Sequence, residues 1–371
     1  MIGATTTAKT APLHIRGATL TPVEVPLKIP LGTSADTVRN APLLLIDVHT
    51  EEGISGSAYL FCYRRSGMKA IAALLQDAVE LAKGRAAEPL RLGATLARRL
   101  ALIGNVGLVR MALSGLDVAL WDANAKAAGL PLAAMLGGGP GKMRAYNSNG
   151  LGLLGAHDTA AQVPKLLERG FTALKLRLGY SSLKEDLDVL RAVQAQLPAG
   201  THLMVDYNQG LSLQEALRRG RRLQEQGVYW LEEPIRHDDW DGCARLAREL
   251  EMPLQMGENL DGAKDVARML AHKACDLLMP DLARIGGVSG WVQSASICAA
   301  AGVDISSHLY AEVSAHLLLA SETRHWLEYA DWADVILESP LAIEDGYAVV
   351  SDTPGVGLRW NAEAVARYTV Q

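Results

Sequence analysis

At 371 residues, 49% of them hydrophobic, the chain can bury a large core and exceeds the roughly 250 residues typical of a barrel domain by about a hundred. A formal net charge of −5 with a pI near 6.0 offers no basic face to nucleic acid and none to an anionic membrane. Cys62, Cys243, Cys275 and Cys298 form no C-x-x-C pair, which predicts buried free thiols, and no apolar run is long enough for a membrane span or a secretory signal, so a soluble, cytoplasmic protein is expected. Residues 1–12 are small and polar and read as a frayed tail. β-Branched runs at 15–27, 43–48 and 53–60 predict an antiparallel meander, broken by loops at 29–40 (IPLGTSADTVRN) and 61–67 (FCYRRSG). Helical patterning takes over at 68–84 and 107–129, where Val109, Ala112, Leu116, Leu120 and Ala123 recur at three and four. A meander followed by helices makes an α+β domain, placed at residues 1–140.

The Gly/Pro cluster in LGGGPGKMRAYNSNG (136–150) marks a change of regime. Beyond it, apolar runs finish on charged or imidazole residues in ALKLR, MVDYN, WLEEP, QMGEN, LMPD, ISSH and HWLE, with helical segments at 157–169, 183–196, 213–226, 240–250, 263–272, 288–301 and 311–320 between them. From Lys175 the steps to Asp206, Glu232, Glu258, Asp281, His308 and Glu328 are 31, 26, 26, 23, 27 and 20 residues. Each is about the length of one strand, one helix and two short loops. The pattern predicts an α/β fold: a TIM-type barrel over residues 141–331, with its polar residues at the C-terminal strand ends. Residues 332–371, with short strands at 349–350 and 355–360, are expected to return to the first domain.

Asp206, Glu232 and Glu258 occupy equivalent positions on three successive strands, so their carboxylates converge at the barrel mouth. Without a cation they repel one another and are driven to take up protons, so a hard divalent ion with oxygen ligands, Mg2+, is expected; the bland alternative is three solvated surface acids. Asp281 and His308 end neighbouring strands, where a carboxylate fixes the imidazole tautomer and raises its pKa, suiting it to proton transfer. His316 and His325 lack such a partner and read as packing or surface residues. Lys175 and Arg177, two apart on one strand, point the same way. Two cations opposite a metal call for an anion between them, best met by a substrate carboxylate. Glu328, on the last strand, is expected to stay protonated beside the other carboxylates and to donate to substrate, against the alternative of a rim salt bridge.

These residues, with APLLLIDV, SAYLFCY, GLVRMALSGLDVALWDA, MPDLARIGGVSGW and SSHLYAEVSAHLL, resemble the enolase superfamily, mandelate racemase subgroup, over nearly the whole chain. The resemblance implies a capping α+β domain over a modified (β/α)7β barrel, and a homo-oligomer, often an octamer. It implies Asp206, Glu232 and Glu258 as Mg2+ ligands, His308 with Asp281 as the base dyad, Glu328 as the acid near the developing enolate, and Lys175 on the substrate carboxylate. One position departs: the second lysine of the family's K-x-K motif is Arg177, whose guanidinium is neutral in about one molecule in 10⁵ or fewer at pH 7. Substrate contacts are expected from the two capping loops and the barrel. Leu31, Val38, Phe61, Tyr63 and Leu309 suit an apolar or aryl group, whereas Thr33, Ser34, Asp36, Arg39, Arg64 and Arg65 suit hydroxyls or a second carboxylate; Asn208 joins the expected contacts.

The sequence thus predicts Mg2+-dependent removal of the proton α to a carboxylate, through an enolate the metal stabilises. Racemisation of a 2-hydroxy acid, with Arg177 as second acid/base, is the leading reading, and dehydration of a sugar acid by the His308–Asp281 dyad alone is the runner-up. A barrel that binds a carboxylate without turnover is the reading from another class.

Overall fold

The computed structural model describes residues 12–34 and 37–370; the expected frayed tail lies almost wholly outside them, as does Asp36. The chain opens with an antiparallel sheet of order β1 (Ile15–Gly32), β2 (Thr37–Thr50) and β3 (Ser55–Phe61). The loop expected at 29–40 is instead the end of a hairpin: Leu31 pairs with Val38 and Gly32 with Thr37, after a register shift between Pro26 and Leu31. Pro30 and Gly32 carry turn signals, but an irregularity in the ladder lets both sit in a strand. The second expected loop shrinks to residues 62–64, because Phe61 closes β3 and α1 (Arg65–Ala82) starts at Arg65.

A helix not foreseen, α2 (Pro89–Arg99), follows; proline occupies its first turn, and Leu92 and Leu96, one turn apart, face the core. Next, α3 (Leu108–Ala128) packs on β3 so closely that a Cβ on Gly56 would lie 1.9 Å from the Ala119 carbonyl oxygen. Only glycine permits that approach.

The short α4 (Leu132–Met135) leads into β4 (Gly141–Asn147), then α5 (Ala156–Ala161), α6 (Val163–Leu166) and β5 (Ala173–Arg177). Alternation continues through α7 (Leu183–Gln194), β6 (His202–Asp206), α8 (Leu213–Gln224), β7 (Leu231–Glu232), α9 (Trp240–Glu249) and β8 (Leu254–Met256). It ends with α10 (Ala263–Ala271), β9 (Leu277–Leu278), α11 (Leu282–Ile285), α12 (Gly287–Ala301), β10 (Asp304–Ile305), α13 (Ala311–Leu319) and β11 (Leu327–Tyr329). Neighbours from β4 to β10 pair in parallel, β11 pairs in parallel with β4, and His325 N donates to Ile305 O at 2.8 Å across the remaining gap. Eight strands therefore close into a (β/α)7β barrel under an α+β cap. Tyr146, Ala173, Met204, Trp230 and Trp326 fill its interior beneath the charged strand ends.

After the barrel, β12 (Ala342–Glu344) and β13 (Tyr347–Val350) form a hairpin that extends the barrel sheet at β4, not the cap. Residues 355–360, expected as a strand, are irregular, yet Val356 N donates to Asp122 and Trp360 Nε1 to Asp47 of β2. The last helix, α14 (Ala362–Tyr368), is followed by Val370 N donating to Pro22 O of β1. Among the described residues, no helix is long and apolar enough to cross a membrane.

The cap meets the barrel through buried polar contacts. Tyr59 Oη on β3 donates to Glu312 Oε2 on α13 at 2.7 Å, Phe61 N donates to Tyr310 Oη at 3.1 Å, and Leu153 N donates to Gly32 O at 3.1 Å. Burial, with Asp334 nearby, pushes the Glu312 carboxyl up to about 7. A folded-state pKa above the unfolded value means that stability present below about pH 4.5 is lost as pH rises towards 7, by at most about 3 kcal/mol. Glu312→Gln keeps an acceptor for Tyr59 and has no proton to lose. Urea unfolding should therefore show its stability relative to wild type rising between pH 4.5 and 8; a difference that does not change with pH would refute this account.

Candidate active site

Strands β5, β6, β7 and β11 converge on one ammonium. Lys175, 1% exposed, donates from Nζ to Glu232 Oε1 at 2.5 Å and to Glu328 Oε1 at 2.7 Å, with Asp206 Oδ2 at 3.7 Å. The other Glu232 oxygen accepts from Trp230 Nε1 at 3.0 Å; two residues earlier along the chain, Trp230 shares the inward face. Asp206 is held by Asn208, whose N and Nδ2 donate to its two oxygens at 2.7 and 2.8 Å. Asn208 Oδ1 is buried without a partner among the described residues.

Opposite stands the dyad. His308 Nδ1 lies 2.7 Å from Asp281 Oδ2, while Asp281 Oδ1 caps α11 by accepting from Ala283 N and Arg284 N. The ring is thereby oriented with Nε2 3.1 Å from Glu258 Oε2 and 4.0 Å from Glu328 Oε2. Leu309, in the left-handed region at φ 52°, aims its N–H at Glu328 Oε2, 2.7 Å away. Glu328 Oε1 also accepts from Ser148 Oγ at 2.6 Å.

Arg177 does not face these carboxylates. Its Nη1 donates to Ser148 O at 2.6 Å and Gly150 O at 3.1 Å, and its Nη2 to Ser148 Oγ at 2.6 Å; Nε has no acceptor among the described residues. The expected pair of cations is thus split: Lys175 joins the carboxylates and Arg177 joins the turn after β4.

Electrostatics follow from burial and partners. Burial pushes Glu232 up to about 8 against the pull of Lys175, with Asp206, Glu328 and Glu258 adding to the rise. Burial also pushes Glu328 up, but Lys175 and His308 outweigh it and hold the carboxyl well below its usual range. The Lys175 ammonium, the Ser148 hydroxyl and the Leu309 N–H, all within 2.7 Å, favour the ionised form over the protonated acid expected from the sequence. Burial disfavours the imidazolium of His308, yet Glu258, Glu328 and Asp281 lift it to about 10. Among the described residues, no three side chains stand preassembled at metal-binding spacing, because Lys175 and His308 occupy the carboxylate oxygens instead.

The expected substrate residues divide. Leu31 and Phe61 are buried, and the Phe61 ring packs 4.5 Å from Tyr63 and 4.9 Å from Trp332, centroid to centroid. Tyr63 is exposed at φ 61°, with the Arg284 guanidinium 5.1 Å from its ring centroid. Val38 packs against the core from its hairpin position, and Leu309 is buried. Ser34 Oγ donates to Tyr207 O, and Arg65 pairs with Glu24 of β1. Arg39 is exposed. His316 and His325 are buried packing residues that burial pulls down to about 4, and the four cysteines are buried and free. Sequence reasoning missed Ser148 and Trp230. The spacing of two before Glu232 was a usable signal for Trp230, whereas Ser148 follows the one barrel strand whose end bears no charge.

Two family models match: an enolase C-terminal domain-like model over residues 158–365 and the mandelate racemase/muconate lactonizing enzyme N-terminal domain over 15–137. An enolase from the alpha proteobacterium BAL199, crystallised with bound Mg, is 42% identical, covers 96% of this chain and 100% of its own, and superposes with a TM-score of 0.94. An enolase from Bradyrhizobium complexed with magnesium and mandelic acid is 38% identical, with 97% and 99% covered and a TM-score of 0.93. The L-talarate/galactarate dehydratase of Salmonella typhimurium is 31% identical over 353 residues, 92% of this chain and 87% of that protein.

Because three buried carboxylates share one ammonium, Lys175→Met should lower stability in chelator at pH 8 by about 3 kcal/mol or more. The loss should shrink at pH 5, where the carboxylates take up protons. A loss below about 1 kcal/mol at both pH values, by urea unfolding in EDTA, would remove Lys175 from this role.

Proposed function

This chain belongs to the mandelate racemase/muconate lactonizing enzyme family of the enolase superfamily, and from that premise we propose that it removes the α-proton of a small carboxylate substrate with His308 and expels a β-hydroxyl, dehydrating a sugar acid. Its homologues are dehydratases, cycloisomerases and racemases, which makes it an isomerase or a lyase. The observation that carries the proposal is the dyad: Asp281, fixed by two backbone N–H groups, holds His308 with Nε2 turned into the carboxylate cluster.

The donor set fits Mg2+. Asp206, Glu232, Glu258 and Glu328 outnumber Lys175 and His308, all four offer oxygen only, and burial makes their excess charge costly enough to raise Glu232 to about 8. Asp206, Glu232 and Glu258 would hold the ion. When bound, it supplies positive charge beside the substrate carboxylate, where negative charge develops as the α-proton leaves.

The remaining work falls to side chains. Lys175 offers its N–H donors to the substrate carboxylate, and Glu328 steadies both Lys175 and the imidazolium of His308. In its neutral form His308 accepts the α-proton at Nε2 as a carbanionic centre forms, and the imidazolium then returns a proton to the departing β-hydroxyl. Water leaves, a C=C bond forms, and the enol tautomerises to a 2-keto acid. One base suffices for that sequence, since the acid it becomes is the acid the leaving group needs. A second reading, racemisation of a 2-hydroxy acid, draws support from the aromatic group Phe61, Tyr63 and Trp332 and from the mandelic acid in the Bradyrhizobium neighbour.

Galactarate, L-talarate and both mandelate enantiomers, incubated in D2O with Mg2+ and followed by NMR, test this. A 2-keto acid from a sugar acid, lost in His308→Asn, is expected. Interconversion of mandelate without keto acid would favour the second reading, and binding of an acid without deuterium uptake would favour a non-catalytic barrel. By calorimetry, Glu232→Gln should weaken Mg2+ binding at least about tenfold; unchanged affinity would overturn the ligand set.

A further inference from the structure

We propose that Arg177 is the anchor of a hydrogen-bonded strut that runs through the Ser148 hydroxyl to Glu328, so that Arg177 and Ser148 are positioning residues and proton transfer proceeds from the His308 face alone. The inference rests on the enolising reading above and names what this chain does with the position where the family's second lysine would stand.

Directionality makes the strut rigid. A guanidinium only donates and an ionised carboxylate only accepts, whereas a serine hydroxyl has one proton to give. Ser148 Oγ therefore accepts from Arg177 Nη2 at 2.6 Å and gives its proton to Glu328 Oε1 at 2.6 Å, with no rotamer left to choose. The same turn is held twice more by Arg177 Nη1, on Ser148 O and Gly150 O, and once by its backbone, Arg177 N donating to Leu151 O at 2.9 Å. Leu151 adopts φ 45° to present that carbonyl. Every one of these partners is an acceptor. A lysine, with three donors on one nitrogen, does not span two carbonyls and a hydroxyl in the plane of a guanidinium fork.

What the strut fixes is chemically central. Glu328 Oε1 also receives Lys175 Nζ at 2.7 Å, and Oε2 receives Leu309 N at 2.7 Å and stands 4.0 Å from His308 Nε2. Displacing Glu328 moves the cation for the substrate carboxylate and the anion beside the base together. A guanidinium committed to the turn offers no proton acceptor to the opposite face of the substrate.

The test uses the full chain with Mg2+ and four variants: Ser148→Ala, Ser148→Thr, Arg177→Met and the Ser148→Ala/Arg177→Met double. NMR in D2O follows galactarate and each mandelate enantiomer. Ser148→Ala and Arg177→Met should each cut kcat about 10- to 100-fold with KM within about threefold, and the double should be no worse than the worse of these two, as expected of residues in one chain. Threonine, which keeps the hydroxyl, should recover kcat to within about threefold. Deuterium should enter from one mandelate enantiomer only, in wild type and variants alike. Multiplicative losses in the double variant overturn the strut. Exchange from both enantiomers in wild type, with one abolished in Arg177→Met, overturns it by making Arg177 a base. Absence of exchange from every probe counts against the enolising reading alone, and crystal structures of Ser148→Ala and Arg177→Met then decide. A Glu328 carboxylate displaced in both supports the strut, and one unmoved in both refutes it.

Discussion

The active end of this barrel depends on a buried charge balance centred on Lys175. Carboxylates from β6, β7 and β11 lean on one ammonium, and none of the four groups is more than 1% exposed. Burying an ion costs several kcal/mol, which only close pairing offsets, so no one of these side chains is tolerable there without the others. The interior beneath keeps these groups away from solvent on that side. Tyr146, Met204, Trp230 and Trp326 pack the barrel below the charged layer, and Trp230 also spends its one N–H on Glu232. Closure matters as much as composition: Glu328 reaches Lys175 because β11 pairs with β4 and returns the last strand beside the first.

The cap is tied into the same balance through one turn. Leu309 and Tyr310 both adopt the left-handed region, at φ 52° and 50°. The first directs its N–H to Glu328, and the second turns its hydroxyl to accept from Phe61 N at the end of β3. The dyad histidine is the residue before them. A shift of the cap against the barrel is therefore felt at the base and at the carboxylate beside it, without any contact between cap and substrate being needed.

What was legible in the sequence was what recurs or what carries charge. The step of about 25 residues located every strand end with a charged terminus, and the apolar periodicity located the barrel helices and α3. The hairpin end was lost because residues 29–40, with Gly, Ser, Asp and Asn and no periodicity, read as a loop, and pairing across an irregular ladder is not visible in composition. α2 was lost because two buried leucines in eleven residues make a weak period. At the site, spacing brought the charged strand ends together but did not show which neighbours each would pack against. Glu328 was expected to be neutral among carboxylates, but Lys175, Ser148 and Leu309 all donate to it within 2.7 Å, and proximity of that order is a property of packing rather than of spacing.

The residues least visible in the sequence are the ones that aim the visible ones. Of ten non-glycine residues with positive φ among those described, seven lie in the turns after barrel strands or at the end of β3: Tyr63, Leu151, Asn208, Gln209, Glu233, Leu309 and Tyr310. Such conformations cost about 1–3 kcal/mol each and persist only where the surroundings hold them. Here each of several returns a specific backbone group: Leu309 N to Glu328, Leu151 O to Arg177, Asn208 N to Asp206. The strand ends supply the charges, and the strained turns decide where those charges point. Two chains sharing every charged strand end can therefore differ in reaction if a turn is re-aimed. In the turn after β4, Arg177 holds the Ser148 and Gly150 carbonyls and the Ser148 hydroxyl, and that hydroxyl donates to Glu328.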